Sequence, residues 1–150
     1  MKKFLVIGNP IEHSLSPKIH NYWMKLHNIK AIYEKALLAK DELKEIINEV
    51  KSGKVDGLNI TLPFKKVIIP LLDELTPLAN ETRSVNTVFR KDGKVFGENT
   101  DANGFKKALQ YTNFTITTKS ALILGAGGVV PSILYALTTL GVSKIFVSTS

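Results

Sequence analysis

The turn GAGG, formed by Gly125, Ala126, Gly127 and Gly128 and followed by Val129, lies between the strand-like SALIL and a helix-like run. In that setting glycines let a pyrophosphate approach backbone amides and the positive end of the helix. Gly125 and Gly127 meet the first two positions of the dinucleotide fingerprint G-x-G-x-x-G/A, whereas Val130 occupies the third small-residue position. Pro131 enters the first turn of the helix, where proline is tolerated. On this motif alone, a generic strand-turn-helix loop is an equal reading.

Two further groupings carry side chains suited to proton transfer and hydrogen bonding. In NITLPFKK, Asn59, Thr61 and Lys65 follow a buried-looking strand at its carboxyl end, where ligands of open α/β sheets gather. Pro63 keeps the segment from continuing as regular strand. In NTD, residues 99–101, Asp101 alone is most simply a helix N-cap, and Asn86 alone a hairpin-end residue. The loop NPIEHSLSPKIHN, residues 9–21, sets Ser14 and Ser16 one residue apart and surrounds them with His13, His20 and Asn21. The histidines, His27 included, lack metal-ligand spacing and there is no cysteine, so no metal is expected.

The elements that must hold these groups can be traced by periodicity. FLVIG (4–8), AIYEKALL (31–38) and VDGLNIT (55–61) read as strands with helices between them, which predicts an α/β sheet of largely parallel strands. In the first helix Ser16 is placed to cap, Pro17 occupies the first turn, and Ile19, Trp23 and Leu26 share a face. In the second, Asp41 caps and Leu43, Ile46, Ile47 and Val50 recur at helical spacing until KSGK ends it. NTVFRKDGKVFGEN (86–99) predicts a hairpin turning at Asp92-Gly93, with Lys91 opposite Lys94, Phe89 opposite Phe96, and Asn86 near Asp101. A helix from TDANGFKKALQY follows, and NFTITTK reads as a linker. The expected division is a first domain over 1–111, a linker over 112–118, and over 119–150 a single βαβ unit. Two parallel strands cannot cover both of their faces, so this unit should pack on the first domain or on another chain, or continue as a larger nucleotide-binding domain.

Composition narrows the function classes. A chain of 150 residues is long enough for one good core, and it has neither cysteines nor an apolar run near the roughly 20 residues of a membrane span. MKKFLVIG is too short in its apolar part for a secretory signal, so a cytoplasmic protein is expected. The net charge of +7 comes from scattered lysines, with Arg83 and Arg90 the only arginines and no basic run with interleaved aromatics. That pattern argues against a nucleic-acid partner and for a solvated basic surface.

Taken in order, GNPIEHSLSPKIHN, NITLPFK, SVNTV, NTDANG and GAGG resemble the five motifs of the shikimate dehydrogenase family, and together they span nearly the whole chain. The resemblance implies an α/β fold: an amino-terminal, mostly parallel sheet with flanking helices that binds substrate, then the first βαβ unit of a Rossmann-like NADP-binding domain. It implies reversible NADP-linked oxidation of shikimate to 3-dehydroshikimate, a step of aromatic amino-acid biosynthesis. By motif, Ser14 and Ser16 would hold the substrate carboxylate, and Asn59, Thr61, Lys65, Asn86 and Asp101 would contact ring hydroxyls. Lys65 and Asp101 would be the catalytic pair, with Gly125 to Val129 at the cofactor. A serine hydroxyl can donate to a carboxylate while its oxygen accepts an amide, so Ser16 can both cap and bind. Family members are longer by about one domain, so the chain reads as truncated within the nucleotide-binding domain and its activity alone stays open. An NAD-using quinate/shikimate dehydrogenase, a non-catalytic shikimate-binding fragment and a homodimer also stay open.

Overall fold

The computed structural model describes residues 1–149. The chain runs β1 (Lys2–Gly8), α1 (Ser16–Leu26), β2 (Ala31–Leu37), α2 (Leu43–Ser52), β3 (Gly57–Ile60), α3 (Phe64–Val67), β4 (Glu74–Leu75), α4 (Pro77–Thr82), β5 (Thr87–Lys91) and β6 (Lys94–Glu98). It continues through α5 (Asp101–Tyr111), β7 (Ser120–Leu124), α6 (Val130–Thr139) and β8 (Lys144–Ser148). Six strands form one sheet in the order β2-β1-β3-β5-β6-β4, and β7 and β8 form a separate parallel pair. β1 runs parallel to β2 and β3, and β4 parallel to β6, so the sheet is mostly parallel, as its pattern predicts.

The antiparallel junctions come from the β5–β6 hairpin, whose two turn residues, Asp92 and Gly93, both take positive φ. Its register pairs Lys91 with Lys94 and Phe89 with Phe96, as the Asp-Gly turn requires, and the two phenyl rings stack at 5.6 Å. β4 is invisible to periodicity because it has two residues. It is held at the sheet edge by paired bonds: Asp73 N donates to the Val95 carbonyl at 3.0 Å, and Val95 N donates to the Asp73 carboxylate at 2.8 Å.

α2 covers one face of the sheet. Leu43, Ile46, Ile47 and Val50 form its apolar stripe and pack with Leu5, Ile7, Leu58, Ile60, Val88 and Val95 in the main core. Gly53, at φ +80°, ends the helix. The start of the helix differs from the expected Asp41 cap. Asp41 lies inside a 3-10 turn, Lys40–Glu42, and the carboxylate that reaches back to Ala39 N, at 2.6 Å, belongs to Glu42. Ala39 is extended and starts the turn before Asp41, so the residue placed to bond back to the free amide is the one three positions after Ala39. Truncating Leu43 to alanine should destabilise the fold by about 2–5 kcal/mol, read as a lowered urea midpoint with an unchanged slope.

α1 lies on the opposite face, over β1 and β2, where Val6, Ile11 and Tyr33 form a smaller core with Phe4 and Met24. Ile19, Trp23 and Leu26 share a helix face as expected, yet that face is exposed. The neighbouring face meets the sheet, with His20 and Asn21 directed at Tyr33. Asn21 donates to the Tyr33 carbonyl at 2.7 Å and accepts from Tyr33 N at 3.0 Å. One side-chain amide thereby takes the place of a neighbouring peptide and blunts the edge of β2 at that residue.

The β7–α6–β8 unit sits beside α5, with Ala136 and Leu137 of α6 buried. Leu122, Leu124 and Phe146 of its strands are exposed, in keeping with a two-stranded sheet that cannot cover both faces. Among the described residues no helix is long and apolar enough to cross a membrane.

Candidate active site

The site is built where strands end. β1 and β3 lie side by side, and beyond their carboxyl ends Thr61 N donates to the Ile7 carbonyl and Asn9 N to the Leu62 carbonyl, each at 3.0 Å. The loop bearing Ser14 and Ser16 and the segment bearing Thr61 and Lys65 therefore border a common space. Buried Phe64 anchors α3, and the Lys65 carbonyl accepts from Val85 N at 2.8 Å, so the lysine's backbone is held on both sides.

Lys65 Nζ lies 2.6 Å from Asp101 Oδ2, with the two side chains only 14% and 24% exposed. The second carboxylate oxygen accepts from Asn86 Nδ2 at 2.8 Å. Asn86 is fixed in turn, its Oδ1 accepting from Thr100 N at 2.9 Å. The N-cap role expected of Asp101 falls elsewhere. Asp101 is the first helical residue of α5, where a negative charge suits the helix dipole, and the amide of Ala102 is capped by Asn99 Oδ1 at 3.2 Å. With capping done by Asn99, both Asp101 oxygens are released to the lysine and the asparagine.

The serine pair also departs from expectation. Leu15 takes helical torsions ahead of α1, so Ser16 begins the helix and its hydroxyl makes no cap bond. Ser14 Oγ accepts from Ser16 N at 3.3 Å instead. Asn59 donates to the Asn86 carbonyl and to Thr87 Oγ1, both at 3.2 Å, and accepts from the Tyr33 hydroxyl at 2.6 Å.

Tyr33 is the residue that sequence reasoning missed. It stands in the neighbouring strand β2, and burial pushes its hydroxyl up to about 12, so at neutral pH it is a donor. An aromatic hydroxyl in a strand is the only local signal; its contact with Asn59 spans 26 positions. His20 stacks on its ring at 4.3 Å and meets Trp23 edge-on, and burial holds the imidazole below its ordinary 6.5. The unfolded chain therefore binds the proton more readily than the folded one, so His20's contribution is complete above pH 6.5 and declines as pH falls through and below that value. The melting temperature should drop on acidification through this window, and His20→Gln should flatten the profile there.

Two clefts flank these groups. The smaller, of about 260 Å³, is lined by His13, Ser14, Ser16 and Thr61 over an apolar floor of Val6 and Ile11. The larger, of about 490 Å³, is lined by Thr61, Leu62, Lys65, Gly127, Gly128 and Val129. Thr61 borders both. The glycine turn lies against the lysine: a Cβ on Gly128 would stand 3.9 Å from Lys65 Cδ. Gly125 has φ +103°, and a Cβ at Gly125 or Gly127 would meet nothing within 4 Å, so the turn is open to a group approaching its backbone. Among the described residues the amides of Ala126 to Val129 donate to no protein acceptor, which suits an anionic oxygen. Val130, at the third fingerprint position, is buried at the base of α6, and its amide donates to the Gly127 carbonyl at 3.0 Å. No cluster of three metal-binding side chains occurs among the described residues.

Residues 6–88 match the family described as the shikimate dehydrogenase substrate binding domain. This chain belongs to the shikimate dehydrogenase family. It is 54% identical over 147 residues to a shikimate dehydrogenase (NADP(+)) of Pelagibacter ubique, an alignment covering 98% of this chain and 56% of the relative. Among solved structures, shikimate dehydrogenase from Aquifex aeolicus superposes with a TM-score of 0.92 at 39% identity, over 99% of this chain and 56% of that one. Shikimate 5-dehydrogenase from Thermus thermophilus, solved in complex with NADP(H) and shikimate, gives a TM-score of 0.90 at 33% identity, over 99% of this chain and 57% of that one. The chain thus spans a little over half the length of the relatives it matches.

Proposed function

We propose that this chain carries the substrate-binding part and the catalytic pair of an NADP-dependent shikimate dehydrogenase, an oxidoreductase that interconverts shikimate and 3-dehydroshikimate. The observation that carries the reading is the Lys65–Asp101 ion pair, 2.6 Å long and largely enclosed, with Lys65 lining the larger cleft that Thr61 borders together with the cleft of the serine pair. Ser14 and Ser16 donate hydroxyl hydrogens to the substrate carboxylate in the smaller cleft; the turn uses Ser14 Oγ only as an acceptor, which leaves its hydrogen for the ligand. Asn59, Thr61 and Asn86 contact ring hydroxyls, and Tyr33 holds Asn59 with its amide nitrogen facing Asn86 and Thr87.

Bound along the glycine turn from Gly125 to Val129, NADP would supply the acceptor for the hydride that leaves the substrate carbon. The chain's own work is to orient the hydroxyl and receive its proton. Lys65 polarises the oxygen through Nζ, the proton passes to the Lys65–Asp101 pair, and Asn86 keeps the carboxylate turned toward the lysine. The open backbone of the glycine turn fits a pyrophosphate, and its contact with the Lys65 stem would bring the nicotinamide end to the reacting carbon. In this reading residues 1–111 are the substrate domain, 112–118 the linker and 119–150 part of the cofactor domain. A cytoplasmic setting and association of two copies belong to the same proposal, the latter supported by exposed Leu122, Leu124 and Phe146.

Calorimetric titration with shikimate, run beside an assay of shikimate-dependent NADP and NAD reduction, tests the proposal. Saturable shikimate binding with NADP reduction supports it. Binding without any nicotinamide binding would mark a non-catalytic binding domain, faster NAD reduction an NAD-linked enzyme, and absence of shikimate binding by the folded chain would overturn the substrate assignment.

A further inference from the structure

The buried side of the cleft holds a polar cluster that neither the substrate nor the proton transfer uses. Asn99, 1% exposed, sits where the end of β6, the start of α5 and the start of α6 converge. Its amide nitrogen lies 2.8 Å from Ser132 Oγ, 2.9 Å from the Ser84 carbonyl and 3.0 Å from Thr82 Oγ1, while its oxygen accepts from Ala102 N at 3.2 Å. The amide can face only one way, because Ala102 N must meet an acceptor and the Ser84 carbonyl a donor. Ser84 extends the cluster, its hydroxyl donating to the Gly128 carbonyl at 3.2 Å. Ser84, Ser132 and Asn99 are all buried, and no buried side-chain polar atom among the described residues lacks a partner.

A buried polar group costs free energy unless it is fully bonded, so such a cluster has one low-energy arrangement and resists sliding. The two structures it joins each bear on the larger cleft, α5 through the Asp101 carboxylate that holds Lys65 of its lining and α6 through the glycine turn that lines it. α5 begins with Asp101, and α6 begins directly after the glycine turn. We propose that Asn99 is a positioning residue for the cleft: with Ser84 and Ser132 it locks the start of α5 to the start of α6, so that Asp101 and Lys65 keep one separation from the glycine turn. An apolar contact of the same area would tolerate sliding, because dispersion has no preferred direction. The directed bonds of one buried amide do not.

The test is amide hydrogen exchange on the chain without ligand, so its failure is distinguishable from failure of the functional proposal. Ser84→Ala combined with Ser132→Ala removes both side-chain links to the glycine turn and α6, and leaves Asn99 bonded to Thr82, the Ser84 carbonyl and Ala102. Exchange at the amides of Val130, Ile133 and the substituted position 132 is expected to quicken about tenfold, a factor within reach of two hydrogen bonds of ordinary net strength, while Ala102 stays within about twofold. Asn99→Leu should quicken both helix starts. Leu43→Ala serves as the control, a global destabilisation that leaves the ratio of exchange between the two helix starts unchanged. Unchanged α6 exchange in the serine double variant, or equal quickening at both helix starts in that variant, would overturn the proposal.

Discussion

Lys65→Ala should lower shikimate-dependent NADP reduction by about 10²- to 10⁴-fold, the range that a positioned acid–base group supplies, while shikimate affinity falls less than about tenfold. The asymmetry follows from what the lysine touches. Its Nζ is committed to Asp101, whereas the substrate carboxylate would be held by Ser14 and Ser16 across Thr61, in a cleft that the lysine does not line. Asp101→Ala should be nearly as damaging, because it leaves an enclosed ammonium without its counter-charge and takes one acceptor from Asn86 Nδ2. The double variant should then cost little more than either single one, since the pair acts as a unit. The measurement is kcat and KM for all three variants against calorimetric shikimate affinity. Retained turnover in Lys65→Ala would remove the lysine from the chemistry, and strictly additive losses would show that the two residues act separately.

Gly8→Val should disable the site from behind. Gly8 ends β1, and even a Cβ there would lie 2.5 Å from Thr61 Cγ2, 3.0 Å from the Leu62 carbonyl oxygen and 3.1 Å from Ile11 Cδ1. Thr61 and Ile11 can shift by rotation, but the Leu62 oxygen is backbone and is fixed by the bond from Asn9 N at 3.0 Å. The strand ends must therefore part. Overpacking of this kind costs about 1–3 kcal/mol for added methylenes. The larger effect is on binding, because Thr61 borders both clefts and Ile11 floors the smaller one. Shikimate affinity should fall by more than about tenfold in a chain that still melts cooperatively, the loss expected when a binding side chain is displaced by a backbone shift. Gly8→Ala should show the same direction with a smaller amplitude, and undiminished affinity in Gly8→Val would show that the strand ends separate without moving Thr61.

Much of this is legible in the residues. The helical spacing of Leu43, Ile46, Ile47 and Val50 names the face of α2 that the core takes, because burial of apolar area depends only on which side chains share a side. Asp92-Gly93 determines the hairpin register, because the positive φ angles of its turn leave few ways to close two strands, and that register carries Asn86 to Asp101. The ordered motifs name the family. Capping is less legible. Ser16, Asp41 and Asp101 each stand where a cap belongs, yet Ser14, Glu42 and Asn99 make the bonds, since a small shift in where helical torsions begin changes the side chain that reaches the free amide.

By itself, then, the sequence determined the alternation of strands and helices, the core stripe, the hairpin and the set of polar residues at strand ends. Each of these rests on interactions between near neighbours, or on periodicity that a single segment displays. Only the tertiary structure decided that Tyr33 holds Asn59, that the glycine turn rests on Lys65, and that Asn99 ties α5 to α6. Those contacts join positions at least 26 residues apart. Hydrogen bonds of about 3 Å are directional enough that only the packed backbone fixes which of many polar side chains will meet.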